Sequence, residues 1–388
     1  MSSTSNSREL TEIAFRPDHA TVFVSLELSR AKWLITSMST WRDKMSKHTV
    51  DAGDGAALLD RLARLRTEAG QHLGTPARVV VIQEAGLDGF WIHRLLQAGG
   101  IESHVVEPAS IAVPRRHRRA KTDVIDGEML VRTLAAFERG EPRVCSMVVA
   151  PSPEEEDRRR VSRERRTLIK ERIEHANRIK GLLASQGISG CEPMRRSFRD
   201  RLESLRTGDG RPLGSRLKAE IGRELDRMDL VLRQIAAVEA DRDALVRPDH
   251  ADAEAPAARL MKLRGIGPEF AAVLWLEGLF RRFANRRQLA AYAGLAPSPW
   301  QSGGVDREQG IAKSGNPRLR TAMVELAWLW LRHQPGSALS RWFRERVGSE
   351  RGRIRRIAIV ALARKLLVAL WRYTTLGERP AGATLKTA

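Results

Sequence analysis

Apolar and β-branched residues run through positions 20–29 (ATVFVSLELS) and 31–39 (AKWLITSMS). They predict two strands joined at Ser29–Arg30, with a third near 44–50 (KMSKHTV). Leu58, Leu59, Leu62 and Leu65 fall on one face of a helix predicted from Asp51 to Ala69. The next segment, ARVVVIQEAG, is a continuous apolar run ending in a carboxylate and a glycine, the signature of a buried parallel strand covered on both faces. GFWIHRLLQAGG then predicts a helix and IESHVVEP another strand. Three strands, helix, strand, helix, strand, helix make residues 19–150 an α/β domain with a mixed sheet.

The pattern changes at residue 152. A long charged helix follows, ended by Gly187, with an apolar seam at Val161, Ile169, Ile173, Ala176, Ile179 and Leu183. Glu154 to Glu156 fall in its first turn, where the helix dipole favours acids. A second helix carries Leu217, Ile221, Leu225, Met228, Leu232 and Ile235 at coiled-coil steps of three and four. Residues 152–250 therefore read as an antiparallel helical hairpin or a dimerising arm. Its basic outer face (Arg158, Arg159, Arg160, Arg163, Arg165, Arg166) is suited to phosphate contact. Residues 256–375 form a third, mostly helical unit. Gly265 and Gly267 mark a tight turn between helices there. It reads either as a helix–hairpin–helix element, whose backbone N–H groups cradle a phosphate, or as a plain helix-breaking turn. The final helices, Leu319 to Arg332 and Ile354 to Tyr373, carry apolar faces with Arg353, Arg355, Arg356, Arg364 and Lys365 alongside.

Charge narrows the function. The 388-residue chain carries a net charge of +20, too basic for a typical metabolic enzyme, and points to a polyanionic partner. No stretch of 18 apolar residues spans a membrane, and the first fifteen residues lack a secretory signal. Cys145 and Cys191 make neither a zinc site nor a disulfide framework, which fits a reduced, cytoplasmic compartment.

Candidate chemistry centres on acids. Asp123 and Asp126 stand three apart at a helix start, directly after the basic run Arg115, Arg116, Arg118, Arg119 and Lys121. Such a pair suits the helix dipole, and it equally suits a divalent ion held by oxygen ligands. Glu27 lies mid-strand among apolar neighbours, where an acid is costly unless paired or metal-bound. Glu84 ends the central strand, the edge where α/β active sites lie. Together the four acids match the ribonuclease-H arrangement, in which carboxylates hold two Mg²⁺. A second constellation spans residues 287–320. There Ser302 precedes Gly303 and Gly304 in a predicted loop, followed by Lys313, Gly315, Asn316, Arg318 and Arg320. Cations near an exposed serine can stabilise a phosphoryl transition state, and no neighbouring histidine supplies an acyl-transfer triad.

These segments resemble one family in order along nearly the whole chain. VFVSLELSRAKWLIT, the VVVIQEAG to HVVEP segment, RRAKTDVIDGEML, and the LRGIGPEFAAVLW to SGNPRLR block are similar to the DEDD-type insertion-sequence transposases guided by a bridge RNA. The resemblance implies a RuvC-like domain over 19–150, a coiled-coil arm, and a C-terminal transposase domain bearing a nucleophilic serine. It implies a metal site at Glu27, Glu84, Asp123 and Asp126, with Glu27 standing where the family usually has Asp, holding Mg²⁺ or Mn²⁺. It implies that Ser302 attacks DNA to form a phosphoserine link, with Ser298 and Ser314 as competing candidates. Expected partners are donor and target DNA, a structured guide RNA and further copies of the chain as a dimer or tetramer, with no membrane, in the nucleoid. Phosphate contacts are expected at the Arg115–Lys121 run, Gly265, Gly267, Lys313, Arg318 and Arg320. An active site shared between domains or protomers is part of this expectation. The alternative function is a RuvC-like junction resolvase that uses water and no covalent step.

Overall fold

The computed structural model describes residues 21–39, 42, 44–86, 89–111, 122–142, 144–195, 197–246, 256–302, 305–311 and 315–386, with backbone alone at 109, 298–302 and 305–309. The chain divides into two compact units, Met1–Pro151 and Ser152–Ala388.

The first unit is built on a six-stranded mixed sheet of order β3-β2-β1-β4-β5-β6. Its strands are β1 (Thr21–Glu27), β2 (Lys32–Ser39), β3 (Ser46–Asp51), β4 (Arg78–Glu84), β5 (Glu102–Val106) and β6 (Met147–Val148). β1, β2 and β3 form an antiparallel meander; β4 lies parallel to β1 and β5 parallel to β4. The two-residue β6, which no sequence pattern announces, closes the edge antiparallel to β5. Alternation sorts the strand residues onto two faces. Val22, Val24, Leu26, Val79 and Val81 pack with Leu58 and Leu62 of α1 (Gly55–Leu73) and with Ile92 and Leu96 of α2 (Trp91–Ala98). Phe23, Val80, Ile82 and Val106 pack with Leu130 and Leu134 of α3 (Asp123–Glu138). Helices on both faces explain why the middle of β4, Val79 to Ile82, is apolar without alternation. α1 starts four residues later than the leucine pattern suggests, because Asp54 accepts a hydrogen bond from the Ala57 N–H at 2.9 Å and so caps the helix.

The second unit begins with α4 (Pro153–Ala184), opened by a reciprocal capping box between Ser152 and Glu155. Short α5 (Phe198–Arg201) precedes α6 (Ser215–Val246). Ala176, Ile179 and Leu183 of α4 pack with Ile221, Leu225 and Met228 of α6, while Leu168 packs with Val231, Ile235 and Val238. The two helices are thus an antiparallel hairpin, and its seam is filled by the chain itself. Two seam positions expected to be apolar contacts face outward instead: Ile173 is 46% and Leu232 38% exposed. The basic outer face is also redistributed. Arg159 is buried, Arg163 pairs with Glu277, and Arg165 pairs with Glu239 and Glu269, leaving Arg158, Arg160 and Arg166 outward.

The rest of the unit is α7 (Pro256–Met261), α8 (Pro268–Leu274) extended by a π-helical turn at Trp275–Leu279, α9 (Arg286–Tyr292), α10 (Pro317–His333), α11 (Ala338–Val347) and α12 (Arg353–Leu376). They share one core, including Leu260, Ile266, Leu274, Leu319, Leu326, Trp330, Leu362 and Leu366. Between α9 and α10 the chain turns to strand, in the antiparallel hairpin of β7 (Pro297–Ser302) and β8 (Val305–Ile311). Among the described residues no helix is long and apolar enough to cross a membrane.

Candidate active site

Strand parity and register bring the acids of the first unit to one edge. Leu26 pairs with Gln83, so Glu27 and Glu84 follow as neighbours on parallel strands. Glu27 shares the face of Phe23 and Ser25, and Glu84 that of Val80 and Ile82, which is the face covered by α3. Ser25 Oγ donates to the Gly127 carbonyl at 2.8 Å, and a Cβ on Gly127 would lie 2.7 Å from Thr36 Oγ1. Only glycine lets α3 approach so closely. That contact sets the first turn of α3, with Asp123 and Asp126, at the carboxyl ends of β1 and β4. Thr122 caps the helix, accepting from the Ile125 N–H at 3.3 Å.

Asp123 is exposed; Asp126, Glu27 and Glu84 are half-buried. Among the described residues the side chains of Asp123 and Asp126 make no hydrogen bond or ion pair. All four donors are hard carboxylate oxygens, the ligand type that suits Mg²⁺ or Mn²⁺. Yet no three of them offer ligand atoms all within 4.8 Å of one another; among the described residues only Glu102, His104 and Glu138 do so.

That triplet lies at the opposite end of the sheet and was not anticipated from sequence. Its cation is already present: Arg78 reaches both Glu102 and Glu138, the latter at 3.0 Å. Burial alone would lower the His104 pKa, but hydrogen bonds to Glu102 and Glu138 override it and hold the group at about 9. Hydrogen bonding to His104 outweighs burial for Glu102 and, with Arg78, holds it at about 2. With Arg78 already supplying the positive charge to both carboxylates, this cluster reads as a structural ion network.

In the second unit Ser302 is not in a loop. It is the last residue of β7, paired in register with Val305 across the two-residue Gly303–Gly304 connection, which lies outside the described residues. Gly303–Gly304 is a hairpin-turn dipeptide, but the flanking runs PSPWQS and VDREQGI are largely polar and the first holds two prolines, so the dipeptide was the one hairpin signal the sequence carried. Ser302 therefore stands at the tip of a β-ribbon.

The comparisons with known proteins speak to the same segment and to the whole chain. Residues 257–341 match the model described as "Transposase IS116/IS110/IS902 family". The Sinorhizobium fredii (strain NBRC 101917 / NGR234) protein y4rJ, named as a transposase, is 61% identical over 391 residues, covering 98% of this chain and 99% of that protein. The chain belongs to the IS116/IS110/IS902 transposase family. More distant relatives include the transposase for insertion sequence element IS1111A of Coxiella burnetii, 27% identical over 81% of this chain and 83% of its own. The transposase for IS1328 of Yersinia enterocolitica is 24% identical over 85% and 93% respectively.

The family-matched segment of the transposase contains a buried polar cluster that sequence reasoning missed. Glu277, 1% exposed, sits in the π-helical turn after α8. Its carboxylate accepts from Arg163 Nε at 3.1 Å and from Asn316 Nδ2 at 2.9 Å. Its carbonyl accepts from Tyr292 Oη at 2.9 Å and Asn316 Nδ2 at 3.1 Å. Asn316 in turn caps α10, its Oδ1 accepting from the N–H groups of Arg318 and Leu319. The Asn316 N–H donates to the Tyr292 carbonyl at 2.6 Å. Tyr292 lies just before β7 and Asn316 just after β8, so this cluster ties together the two ends of the segment carrying the hairpin. Gly315, at φ +95°, fits where a Cβ would lie 2.6 Å from the Ala291 and Tyr292 carbonyls. The signal was present: Glu277 is a lone acid in the apolar run AVLWLEGLF, as Glu27 is in its strand, and Asn-Pro is a cap followed by N1 proline.

The remaining expected phosphate contacts divide. Arg318 and Arg320 fall in the first turn of α10, where the dipole disfavours cations, so their placement favours a nearby anion. Gly265 and Gly267 do lie in the turn between α7 and α8, with Gly267 capping α8. That turn is covered by the C-terminal segment: the Arg264 N–H donates to the Thr384 carbonyl at 3.1 Å, and Lys386 Nζ to the Ile266 carbonyl at 2.9 Å. Arg115, Arg116, Arg118, Arg119, Lys121, Lys313 and Ser314 lie outside the described residues, and the side chains of Ser298 and Ser302 are likewise not described.

Proposed function

We propose that this transposase cuts and exchanges DNA strands through a covalent phosphoserine link at Ser302. The observation that carries the reading is the placement of Ser302 at the tip of a ribbon whose ends are tied by Glu277 and Asn316, with Arg318 and Arg320 following at a helix start. In the proposed step Ser302 Oγ bonds to phosphorus as a bond from phosphorus to a sugar oxygen breaks. The serine proton ends on the departing sugar hydroxyl. One phosphodiester replaces another, so rejoining needs no external energy source. Serine is a weak nucleophile at neutral pH and requires activation.

Glu27, Glu84, Asp123 and Asp126 are the residues that would hold Mg²⁺ or Mn²⁺. Such an ion supplies Lewis-acid stabilisation of charge on phosphoryl oxygen. Glu27 and Glu84 orient their carboxylates from neighbouring parallel strands, and Asp123 and Asp126 add theirs from a helix N-terminus. The sheet order, with three antiparallel strands followed by two parallel ones, supports the RuvC-like reading of this unit. Guidance by a structured RNA, assembly into a dimer or tetramer, and work in the nucleoid complete the proposal. They rest on the family resemblance and the net charge of +20.

The test is a denaturant-resistant protein–DNA adduct formed with the flanking RNA, labelled DNA and Mg²⁺. Wild type should form it; Ser302→Ala should not. An adduct that persists in Ser302→Ala moves the nucleophile elsewhere. Cleavage by wild type with no adduct would favour the resolvase-like alternative, in which the acids act without the serine.

A further inference from the structure

A groove of 1080 Å³ in the second unit runs between α9, α12 and the segment after α12, and reaches Ala296 and Pro297 at the start of β7. Six cations line it against one acid. The acid, Glu378, is engaged by Arg372. Lys365 Nζ sits 4.7 Å above the Trp342 ring. The other four, Arg286, Arg287, Arg364 and Arg379, meet no acid among the described residues. Four guanidinium groups held near one another without counter-charge repel, and the arrangement is relieved by a polyanion. The floor is apolar, with Leu339 and Val368 half-buried and Pro380 buried.

We propose that this groove holds a single DNA strand and leads it toward Ser302. Cations along a rim select a chain of phosphates, and an apolar floor suits sugars and base faces that a duplex would keep stacked inside. The location selects DNA: β7 leaves the groove at Pro297 and ends at Ser302, five residues on, a run of about 17 Å at strand rise. That span corresponds to about five nucleotides at the B-form rise per strand. The inference deepens the serine reading above and rests on it for the choice of DNA over RNA.

The experiment uses full-length protein and fluorescein-labelled 12-mers of matched sequence as single-stranded DNA, duplex DNA and RNA. Binding is read by anisotropy across a salt series. Arg286→Ala/Arg287→Ala/Arg379→Ala should weaken single-stranded DNA binding about tenfold or more and flatten the log–log salt slope by about 2, given about 0.7 per phosphate contact. Arg216→Ala/Arg223→Ala/Arg233→Ala, three exposed arginines of α6, removes the same charge and should leave the slope near wild type. Thermal melting of both triple variants separates lost binding from lost folding. Photocrosslinking of iododeoxyuridine DNA to wild type, with adducts in residues 364–381, reads the site without any substitution. An unchanged slope in the groove variant together with no crosslink there overturns the proposal. So does loss confined to the RNA or the duplex. Binding requires no chemistry, so the two readings fail separately. Ser302→Ala protein that binds normally but still forms an adduct sinks the serine and spares the groove. A groove variant that binds like wild type, with no crosslink in residues 364–381, does the reverse.

Discussion

Asn316 Nδ2 lies 2.9 Å from the Glu277 carboxylate while Asn316 Oδ1 caps α10, so one amide links a buried acid to a helix start. Asn316→Asp keeps a capping oxygen but sets a second carboxylate against Glu277. It should therefore destabilise more than Asn316→Ala, which loses about 1 kcal/mol of capping plus the two hydrogen bonds from Asn316 Nδ2 to Glu277. Glu277→Gln removes the charge facing Arg163 and should cost about 2 kcal/mol, discounted because Arg163 is 39% exposed. Denaturant melts of the three variants check the ranking; Asn316→Asp at or above the Asn316→Ala stability refutes the linkage.

Asp123→Asn and Asp126→Asn should each abolish DNA strand breakage in Mg²⁺ with melting temperatures near wild type. Neither side chain holds the fold through a hydrogen bond or ion pair among the described residues. Full breakage activity in both variants would remove the carboxylate site from the mechanism.

The Arg78–Glu102–His104–Glu138 network should give stability a defined pH window. His104 titrates at about 9 in the folded chain against 6.5 as a free group, so its contribution is complete below about 6.5 and lost as pH rises through about 9. Glu102, at about 2 against 4.5, contributes above about 4.5 and loses it as pH falls through about 2. Both shifts report the same interaction and are counted once. Melting temperature measured from pH 5 to 9.5 should fall more steeply for wild type than for His104→Gln. Parallel curves for the two proteins would show that the network contributes nothing.

The helical arm separates folding from assembly. Ile221 is fully buried within the α4–α6 hairpin, so Ile221→Asp should cost more than about 3 kcal/mol and unfold the arm whatever the oligomeric state. Assembly through this segment would instead use its outward residues Ile173 and Leu230, 46% and 48% exposed. Ile173→Asp with Leu230→Asp should lower the solution mass by light scattering without lowering the melting temperature. An unchanged oligomeric mass with these substitutions excludes this face.

The order of strands and helices from β1 to α3 was legible, though not the two-residue β6 or the exact start of α1, because apolar period and turn chemistry are local. The same holds for the start of α3 at Asp123, for the two long helices and for their apolar seam apart from Ile173 and Leu232. Glu27 and Glu84 were legible as suspect acids because a carboxylate in an apolar strand conflicts with its neighbours. What the sequence could not settle were questions of partner. Whether the α4 and α6 seams meet each other or a second chain depends on the loop geometry around α5, and the fold closes them on one another. Whether Arg163 and Arg165 face phosphates or acids depends on Glu277, Glu239 and Glu269, at least 74 residues away along the chain for the two pairs bonded through Nε, and Arg159 is taken inward by the Leu276 carbonyl and the Phe280 ring. Glu277 gained its meaning only when Asn316 and Tyr292 were brought to it. Local pattern determines elements because hydrogen-bonding period and burial act over a few residues. Pairing of buried charge and the filling of grooves are decided by tertiary structure, because they join side chains that only the completed core brings within a few ångströms.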